Sequence, residues 1–373
     1  MSRKPGFRRR AAFNAVLVVV LLVALNLLAA VILDGHRIYT TLVLPSDNRA
    51  ELPNYPDKEL SRQILGEFNQ LETRYVPFVE WRREEFHGKT TTVGADGDRV
   101  LAATTDAPVG TVMFFGGSTM WGTGVEDNHT IPAFFNRLEP DFRVVNHGES
   151  GFSTRQDLAQ LVNLVNQDQP MDLVVFYDGN NDAVTYCRPE VDINGHVHAA
   201  KIQRLLKPAS WILADLTGPL QELLSGKAIA RLLHGPGQYP SRCHESPEYA
   251  QRVAETMVNN WKIARAVARE GGADFIAILQ PVASIGSPRV DHLSPEDYSP
   301  QNEQNLVYPI VRRILAESGV DWAYDFTDIF DGNEYTYIDV CHVTANGNQR
   351  VAERIDKILT PRLRQLAASR ARN

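Results

Sequence analysis

The stretch FFGGSTMWGTG, Phe114–Gly124, closes an apolar run that begins at Thr111. A short, nearly continuous run of apolar and β-branched residues is typical of a strand buried on both faces. The glycines that follow it lack the spacing of the G-x-G-x-x-G and G-x-x-x-x-G-K-[ST] motifs, so a nucleotide phosphate is not the expected ligand. The serine after the strand, Ser118, instead lies where open α/β sheets bind their ligands.

Further runs along the chain have the same character. They are FRVVN (142–146), DLVVFY (172–177), DFIAIL (274–279) and, more weakly, VDWAYDF (320–326). Between them, apolar residues recur at helical spacing over residues 130–138, 154–166, 248–270, 301–317 and 346–366. Strands that alternate with helices indicate a parallel sheet covered on both faces, with right-handed crossovers. We therefore predict a three-layer α/β domain over residues 106–373.

One connection in this domain, residues 185–247, is much longer than the others. It contains KIQRLLKPASWILADLTGPLQELL, which predicts short helices with exposed apolar positions. A long insertion of this kind is typical of a substrate lid or a partner surface. A helical cap without any catalytic role is an equally good interpretation, and the sequence does not separate the two.

The N-terminus has the pattern of a membrane anchor. Residues 1–10, MSRKPGFRRR, are basic, and residues 11–33 contain no charge. At about 1.5 Å per residue, a helix of that length spans roughly 30 Å of hydrocarbon. The apolar region is longer than that of a signal peptide and has no clear A-x-A exit, which favours an uncleaved anchor. The basic tail should stay in the cytoplasm, so the rest of the chain is expected in the periplasm or at the cell surface.

Residues 34–105 are predicted to hold a linker and an N-terminal extension. The polar, proline-bearing stretch up to about Pro56 is typical of a linker. A helix near Glu59–Leu71 and short strands with a Gly-Asp turn follow it.

The composition limits the kinds of partner. With 43% hydrophobic and 22% charged residues, the chain is ordinary for a globular protein. It has 45 acidic against 38 basic residues, and part of the basic set lies in the N-terminal tail. This acidic balance argues against a nucleic-acid partner.

The chain has three cysteines, Cys187, Cys243 and Cys341. In an oxidising compartment this number favours one disulfide, for which three pairings are open. Cys187 with Cys243 is the preferred pair, because the two residues bracket the same insertion. There is no CxxC motif, and the histidines of NGHVH belong to no consistent ligand set, so we expect no metal and no other cofactor.

Ser118 needs a base if it is to act as a nucleophile, because a serine hydroxyl is weak alone. The candidate base is His342 in YIDVCHVTANG, with Asp339 three residues before it, ahead of the last predicted helix. In a turn, this spacing can put both side chains on one side, so that Asp339 orients the imidazole and His342 faces the serine.

Acyl transfer also requires hydrogen-bond donors aimed at the developing oxyanion. The segments NHGESGFST and YDGNNDA follow the second and third strands. The candidate donors are the backbone N–H groups of Ser118 and Gly151 and the side-chain amide of Asn181. Asp178 and Asp182 flank that asparagine, and Asp182 is expected to fix the loop through backbone hydrogen bonds.

Taken in order, these segments resemble the four blocks of the SGNH hydrolase superfamily, the GDSL-like esterases and lipases. GGS at Gly116–Ser118 is similar to the block that carries the nucleophile, and Gly151 falls on the glycine of the second block. GNND at Gly179–Asp182 is similar to the block that carries the asparagine, and DVCH at Asp339–His342 to the D-x-x-H block. The resemblance covers about residues 111–358, with the insertion as an interruption.

The resemblance departs from the family pattern at Gly117, which stands in place of the Asp of G-D-S. This leaves the predicted triad in place and weakens only the choice of subfamily. The resemblance implies a flavodoxin-like fold with a five-stranded parallel sheet, no metal, and hydrolysis of carboxylic esters through an acyl-serine. Gly117, Gly179 and Asp182 would then support the site.

The expected protein is an extracytoplasmic serine esterase, anchored through residues 11–33, that acts on esters of envelope glycans or lipids. O-acetyl groups on a polysaccharide are the first candidate substrate. Two alternatives stay open at this point. The same triad would serve an O-acyltransferase, and the same fold could belong to a non-catalytic glycan-binding protein, although four intact blocks argue against the latter.

Overall fold

The computed structural model of the chain describes residues 47–102, 105–193, 195–199 and 241–370, positions 202, 203 and 206, and most of 13–32. The chain divides into two compact units, Met1–Pro45 with Val197–Tyr239 and Ser46–His196 with Pro240–Asn373. The basic tail, the first part of the predicted linker and residues 207–240 of the insertion lie outside the described residues. Among the residues that are described, no helix combines the length and the apolar character needed to cross a membrane.

The second unit contains a five-stranded sheet, whose strands are Thr111–Gly116 (β5), Arg143–Asn146 (β6), Leu173–Asp178 (β7), Asp274–Leu279 (β8) and Ala323–Asp325 (β9). Their order in the sheet is β6-β5-β7-β8-β9, and all neighbouring strands are parallel. The predicted strands are confirmed, with ends that differ by at most three residues because periodicity does not fix a strand end.

Eight α-helices of this domain have both ends among the described residues. Five agree with the predicted periodicity, and three short ones, at Ser118–Trp121, Asn180–Tyr186 and Arg242–Glu245, were not predicted. The bounds of the eight are Ser118–Trp121 (α2), Ile131–Leu138 (α3), Thr154–Asn166 (α4), Asn180–Tyr186 (α5), Arg242–Glu245 (α6), Pro247–Glu270 (α7), Gln304–Ser318 (α8) and Ala345–Arg370 (α9). Side-chain caps define several starts: Thr130 accepts from Ala133 N–H ahead of α3, and Ser153 forms a capping box with Gln156 ahead of α4.

The core is split by the sheet into two layers. Along β5, Met113 and Phe115 face the layer that contains α4, α7 and α8, whereas Val112 and Phe114 face the layer that contains α3 and α9. All six residues of β5 and all six of β7 are buried. A strand buried on both faces needs a continuous apolar run, which is why the pattern before Ser118 identifies the centre of the sheet. The three-layer α/β arrangement is thereby confirmed.

The N-terminal extension packs on this domain. It contains a 3₁₀ helix at Asn48–Glu51, helix α1 at Lys58–Phe68, and two antiparallel pairs: Thr73–Val76 (β1) with Glu80–Arg83 (β2), and Phe86–His87 (β3) with Thr92–Val93 (β4). The prediction of a linker up to Pro56 is wrong for residues 47–56. Ala50 is 1% exposed and Tyr55 is 8% exposed, because the segment packs against the domain. Its polar groups also hydrogen-bond to the domain, as the hydroxyl of Tyr55 does to the carbonyl of Gly124.

The predicted disulfide between Cys187 and Cys243 is present. It joins the residue after α5 to helix α6, near the two ends of the insertion, across a sequence separation of 56. Cys341 is a buried free thiol.

Candidate active site

Ser118 is the first residue of α2, directly after the turn that ends β5. Gly117 precedes it at the N-cap position, where it has no side chain to cap the helix. A Cβ atom added at Gly117 would lie 2.5 Å from Nδ2 of Asn181. Glycine at this position therefore lets Asn181 approach the nucleophile turn closely, which gives a physical reason for the departure from the G-D-S pattern.

The structure brings Ser118, Asp339 and His342 together although Ser118 and His342 are 224 residues apart in the chain. Nε2 of His342 lies 2.7 Å from Oγ of Ser118, and Nδ1 lies 2.8 Å from both carboxylate oxygens of Asp339. The three-residue spacing works through a tight turn, in which the N–H of Ile338 donates to the carbonyl of His342. Nε2 of His342 then faces Ser118 just after the end of β5, and Asp339 lies on the other ring nitrogen.

Asp339 is held as an anion by several donors. Its Oδ1 accepts the backbone N–H groups of Cys341 and His342 at 3.1 and 2.8 Å. Its Oδ2 lies 2.6 Å from Nη1 of Arg49. Burial would raise the pKa of Asp339, but the charges of His342 and Arg49 outweigh it and hold that pKa well below its usual range.

The side chain of His342 is 14% exposed and lies beside this carboxylate, and two effects on its pKa oppose each other. Burial lowers the pKa of the imidazole, whereas the charge of Asp339 raises it, and the net direction is upward. The stabilised imidazolium is the form that a general base reaches after it takes a proton from serine. The pair is thus arranged to accept that proton.

The three predicted oxyanion donors are the N–H groups of Ser118 and Gly151 and the side-chain amide of Asn181, which lies against the nucleophile turn. Asn181 is the second residue of α5, and its Nδ2 donates to the carbonyl of Phe152 at 2.7 Å, which uses one of its two hydrogens. Gly151 has φ of +82°, a left-handed conformation that favours glycine. Among the hydrogen bonds between described residues, none uses the N–H of Ser118 or of Gly151. These N–H groups are therefore free to bind a substrate oxygen.

The residues predicted to support the site have structural roles. Asp182 accepts from the N–H and the hydroxyl of Thr154, so it ties the start of α5 to the start of α4, as predicted. Gly179 has φ of +138°, and a Cβ there would lie 2.6 Å from the hydroxyl of Tyr308. Both residues fix the loop that carries Asn181.

Two further acids lie behind this edge of the sheet. Asp157 accepts from the N–H of Gly116, and Asp178 accepts from Nε1 of Trp261. The two carboxyl groups are within hydrogen-bonding reach of each other. Burial and the neighbouring acids raise the pKa of Asp157, and burial raises the pKa of Asp178 to about 6 and that of Asp182 to about 7. The sequence pattern does not mark Asp157 as a buried acid, because it lies on an amphipathic helix, where an acid is normally exposed.

Arg49 was also missed. It is 290 residues from Asp339 in sequence and lies in a stretch typical of a linker. No spacing rule could have found this contact.

Donor atoms that could converge on a cation occur, within the described part of the chain, in the group Asp339, Cys341 and His342, where they lie within 4.8 Å of one another. Nδ1 of His342 is already hydrogen-bonded to Asp339, and its Nε2 faces Ser118. The arrangement therefore fits proton transfer to and from the serine.

Solved structures include several that are similar to this chain. One is a carbohydrate acetylesterase family member from Sinorhizobium meliloti, with 18% identity, 69% of this chain and 99% of that chain covered, and a TM-score of 0.37. A lipolytic protein of the G-D-S-L family from Veillonella parvula DSM 2008 has 11% identity, coverages of 67% and 98%, and a TM-score of 0.38. The aryl esterase of M. smegmatis has 14% identity, coverages of 67% and 100%, and a TM-score of 0.38. No curated protein matches the chain.

The model of the GDSL-like Lipase/Acylhydrolase family matches residues 114–350. This range is more than half of the chain, begins in β5 just before Ser118 and ends beyond His342. The resemblance predicted from the four sequence blocks is confirmed. The chain belongs to the GDSL-like lipase/acylhydrolase family and is a serine ester hydrolase.

Proposed function

We propose that this chain is an extracytoplasmic esterase that removes small acyl groups, O-acetyl groups first, from glycans or lipids of the cell envelope. Ser118 is the nucleophile, His342 carries the proton, and Asp339 orients His342. The observation that carries the proposal is the 2.7 Å distance between Nε2 of His342 and Oγ of Ser118. With Asp339 on the other ring nitrogen at 2.8 Å, this is the order of groups that serine hydrolysis requires.

The reaction proceeds in two halves. As Oγ of Ser118 attacks the acyl carbon, Nε2 of His342 takes the hydroxyl proton, and the former carbonyl oxygen becomes an oxyanion. The N–H groups of Ser118 and Gly151 and Nδ2 of Asn181 donate to that oxygen. His342 then gives its proton to the leaving alkoxide. In the second half, water attacks the acyl-serine and His342 takes a proton from the water. His342 then gives that proton to Oγ of Ser118 as the bond to the acyl carbon breaks, so the free acid leaves and both side chains are restored.

The aromatic side chains of Trp81 and Phe152, next to Gly151, support a compact substrate. Trp81 on β2 donates from Nε1 to the carbonyl of Ser150 at 3.1 Å and packs edge-on against Phe152, with ring centroids 5.6 Å apart. A Cβ at Gly151 would lie 3.3 Å from the ring of Trp81. A rigid indole at this place suits a short acyl group or the apolar face of a sugar better than a long flexible chain.

The location is part of the proposal. Residues 11–33 form the anchor, residues 1–10 stay in the cytoplasm, and the hydrolase domain, 106–373, lies outside. The disulfide between Cys187 and Cys243 supports an oxidising compartment, because cytosolic thiols are kept reduced.

The test is a series of nitrophenyl esters of increasing acyl length, followed by an O-acetylated polysaccharide. We expect the acetate to be cleaved best, acetate to be released from the polysaccharide, and Ser118→Ala to lose a factor of about 10³ or more in kcat. Cleavage of long acyl chains alone would contradict the small-acyl proposal. Transfer of the acetyl group to a sugar acceptor, without release of acetate, would contradict hydrolysis.

A further inference from the structure

The segment 47–58 lies against the loops that carry the triad. Nδ2 of Asn54 donates to the carbonyl of Tyr337, two residues before Asp339, at 2.7 Å. The hydroxyl of Tyr55 donates to the carbonyl of Gly124, in the stretch that follows Ser118, at 2.7 Å. One short piece of the N-terminal extension thus contacts both the acid–base loop and the nucleophile loop.

Arg49 is the charged residue of this segment that reaches the triad. Asp47 holds one edge of its guanidinium, since Nε lies 3.0 Å from Oδ1 and Nη2 lies 2.7 Å from Oδ2. This leaves Nη1 pointing to Oδ2 of Asp339 at 2.6 Å. The pair is only slightly open to solvent, with the Arg49 side chain 27% exposed and that of Asp339 15% exposed. A planar guanidinium fixed on one edge has little freedom on the other.

We propose that Arg49 is a positioning residue of the hydrolase, which holds Asp339 in the orientation that aligns His342 with Ser118. The proposal rests on the proposed role of Ser118, Asp339 and His342. Oδ1 of Asp339 is fixed by backbone N–H groups of its own turn, whereas Oδ2 has Arg49 as its fixed partner besides the imidazole. Without Arg49 the carboxylate can rotate about this anchored oxygen, and the imidazole follows it.

Arg49 also sets the charge that His342 experiences. Its positive charge offsets part of the negative charge of Asp339, so its removal should stabilise the imidazolium and raise the pKa of His342. Other charged or titratable groups near the pair are Asp47, Tyr55, Asp297 and Cys341. These groups remain in an Arg49 variant. A shift in the pH profile would thus report the loss of the guanidinium.

The experiment compares Arg49→Gln and Arg49→Lys with wild type in the full chain, using a short nitrophenyl ester from pH 5 to 9. For Arg49→Gln we expect kcat to fall about 10- to 100-fold with KM unchanged. Losses of this size are typical when a residue that orients a metal-ligating side chain is removed, and Arg49 orients Asp339 in the same way. The acidic limb of the kcat profile should move to higher pH, because more His342 is protonated at a given pH. Arg49→Lys keeps the positive charge but lacks the planar guanidinium that can bind Asp47 and Asp339 at once. The acidic limb of its kcat profile should therefore stay at the wild-type pH, while kcat recovers only in part.

The matched control is Arg62→Gln. Arg62 lies on α1 of the same extension and pairs with Glu51 at 2.7 Å, with more than half of its side chain exposed and no contact with Asp339. It should leave both kcat and the acidic limb unchanged.

Two results would overturn the positioning role: wild-type kcat and pH profile in Arg49→Gln, or an equal loss of kcat at every pH that Arg49→Lys does not relieve. Ser118→Ala, assayed in parallel, separates this from failure of the proposed function. If Ser118→Ala keeps wild-type activity, the triad assignment itself is wrong. If only Ser118→Ala loses activity, the triad holds and the role of Arg49 is wrong.

Discussion

Asp339 and the cluster Asp157, Asp178 and Asp182 are all largely buried near the carboxyl ends of the strands, yet their pKa values are shifted in opposite directions. Asp339 has His342 on one side and Arg49 on the other, and its pKa is held well below the usual range. The cluster is bonded to neutral donors, the N–H of Gly116, the indole of Trp261 and Thr154, and burial raises the pKa of its members. Within the described residues, no basic side chain hydrogen-bonds to the cluster.

Burial alone therefore does not decide the charge of a carboxyl group. A cation within hydrogen-bonding distance keeps Asp339 ionised, as its proposed role requires, because an imidazolium must be stabilised by an anion. Among the described residues the cluster has no such cation within hydrogen-bonding distance, so burial raises the pKa of its members and favours their protonated forms. Its hydrogen bonds fix the last residue of β5 and the loop of Asn181, which is a structural contribution.

The largest effect is expected from Asp339→Asn. This change keeps the shape but removes the charge that orients His342, so kcat should fall by about 10⁴. Asp178→Asn is the matched change in the cluster, and its effect on kcat should be much smaller. Steady-state kinetics of both variants on one short-chain ester checks this. Equal losses of kcat would break the distinction between the two sets of aspartates.

Substitutions in the cluster should affect the stability of the fold more than they affect kcat. Asp157→Ala leaves the buried N–H of Gly116 without an acceptor and Asp178 without its partner, which should cost about 1–3 kcal/mol in the free energy of unfolding. Asp157→Asn keeps an acceptor for Gly116 and a donor for Asp178, so it should cost less. Urea unfolding measures both. If Asp157→Asn is as damaging as Asp157→Ala, the hydrogen-bonding role of the cluster is wrong.

The last difference concerns the pH dependence of stability. A carboxyl group whose folded pKa is raised contributes stability below its unfolded pKa of about 4, and this is lost as the pH rises through the folded pKa. For Asp178 and Asp182 those folded values are about 6 and about 7. The cluster should therefore make stability fall between pH 4 and 7, by at most about 1.4 kcal/mol per pH unit for each proton released.

Asp157→Asn tests the source of that fall. An amide at this position cannot ionise, so the decline between pH 4 and 7 should be shallower than in wild type, as measured by unfolding at several pH values. Asp339 has the reverse dependence, because its depressed pKa gives stability that is lost as the pH falls below about 4. An unchanged slope in Asp157→Asn would show that Asp157 contributes nothing to this pH dependence.

The parts of this molecule that the sequence predicts are those with a local pattern. Buried strands such as Thr111–Gly116 are continuous apolar runs, and the loops after parallel strands must meet at one edge, so Ser118, Gly151 and Asn181 could be placed together. The contact between Arg49 and Asp339 has no such pattern. It depends on how a polar segment packs, and polar, proline-bearing sequence alone is also typical of a free linker.

Asp157 was missed for a related reason. On an amphipathic helix an acid normally marks the exposed face, and only the packing of α4 against β5 places it under Gly116. Buried polar networks are set by tertiary contacts, and helical or strand periodicity does not report them.

The central claim is that Ser118 is a nucleophile activated by His342, and a fluorophosphonate probe tests it most directly. Intact mass and peptide mapping of the folded full-length chain would locate the adduct. We predict one adduct on Ser118 in wild type, none in Ser118→Ala, and much slower labelling in His342→Ala. Failure to label Ser118 in the folded wild-type chain, or equally rapid labelling in His342→Ala, would contradict the account.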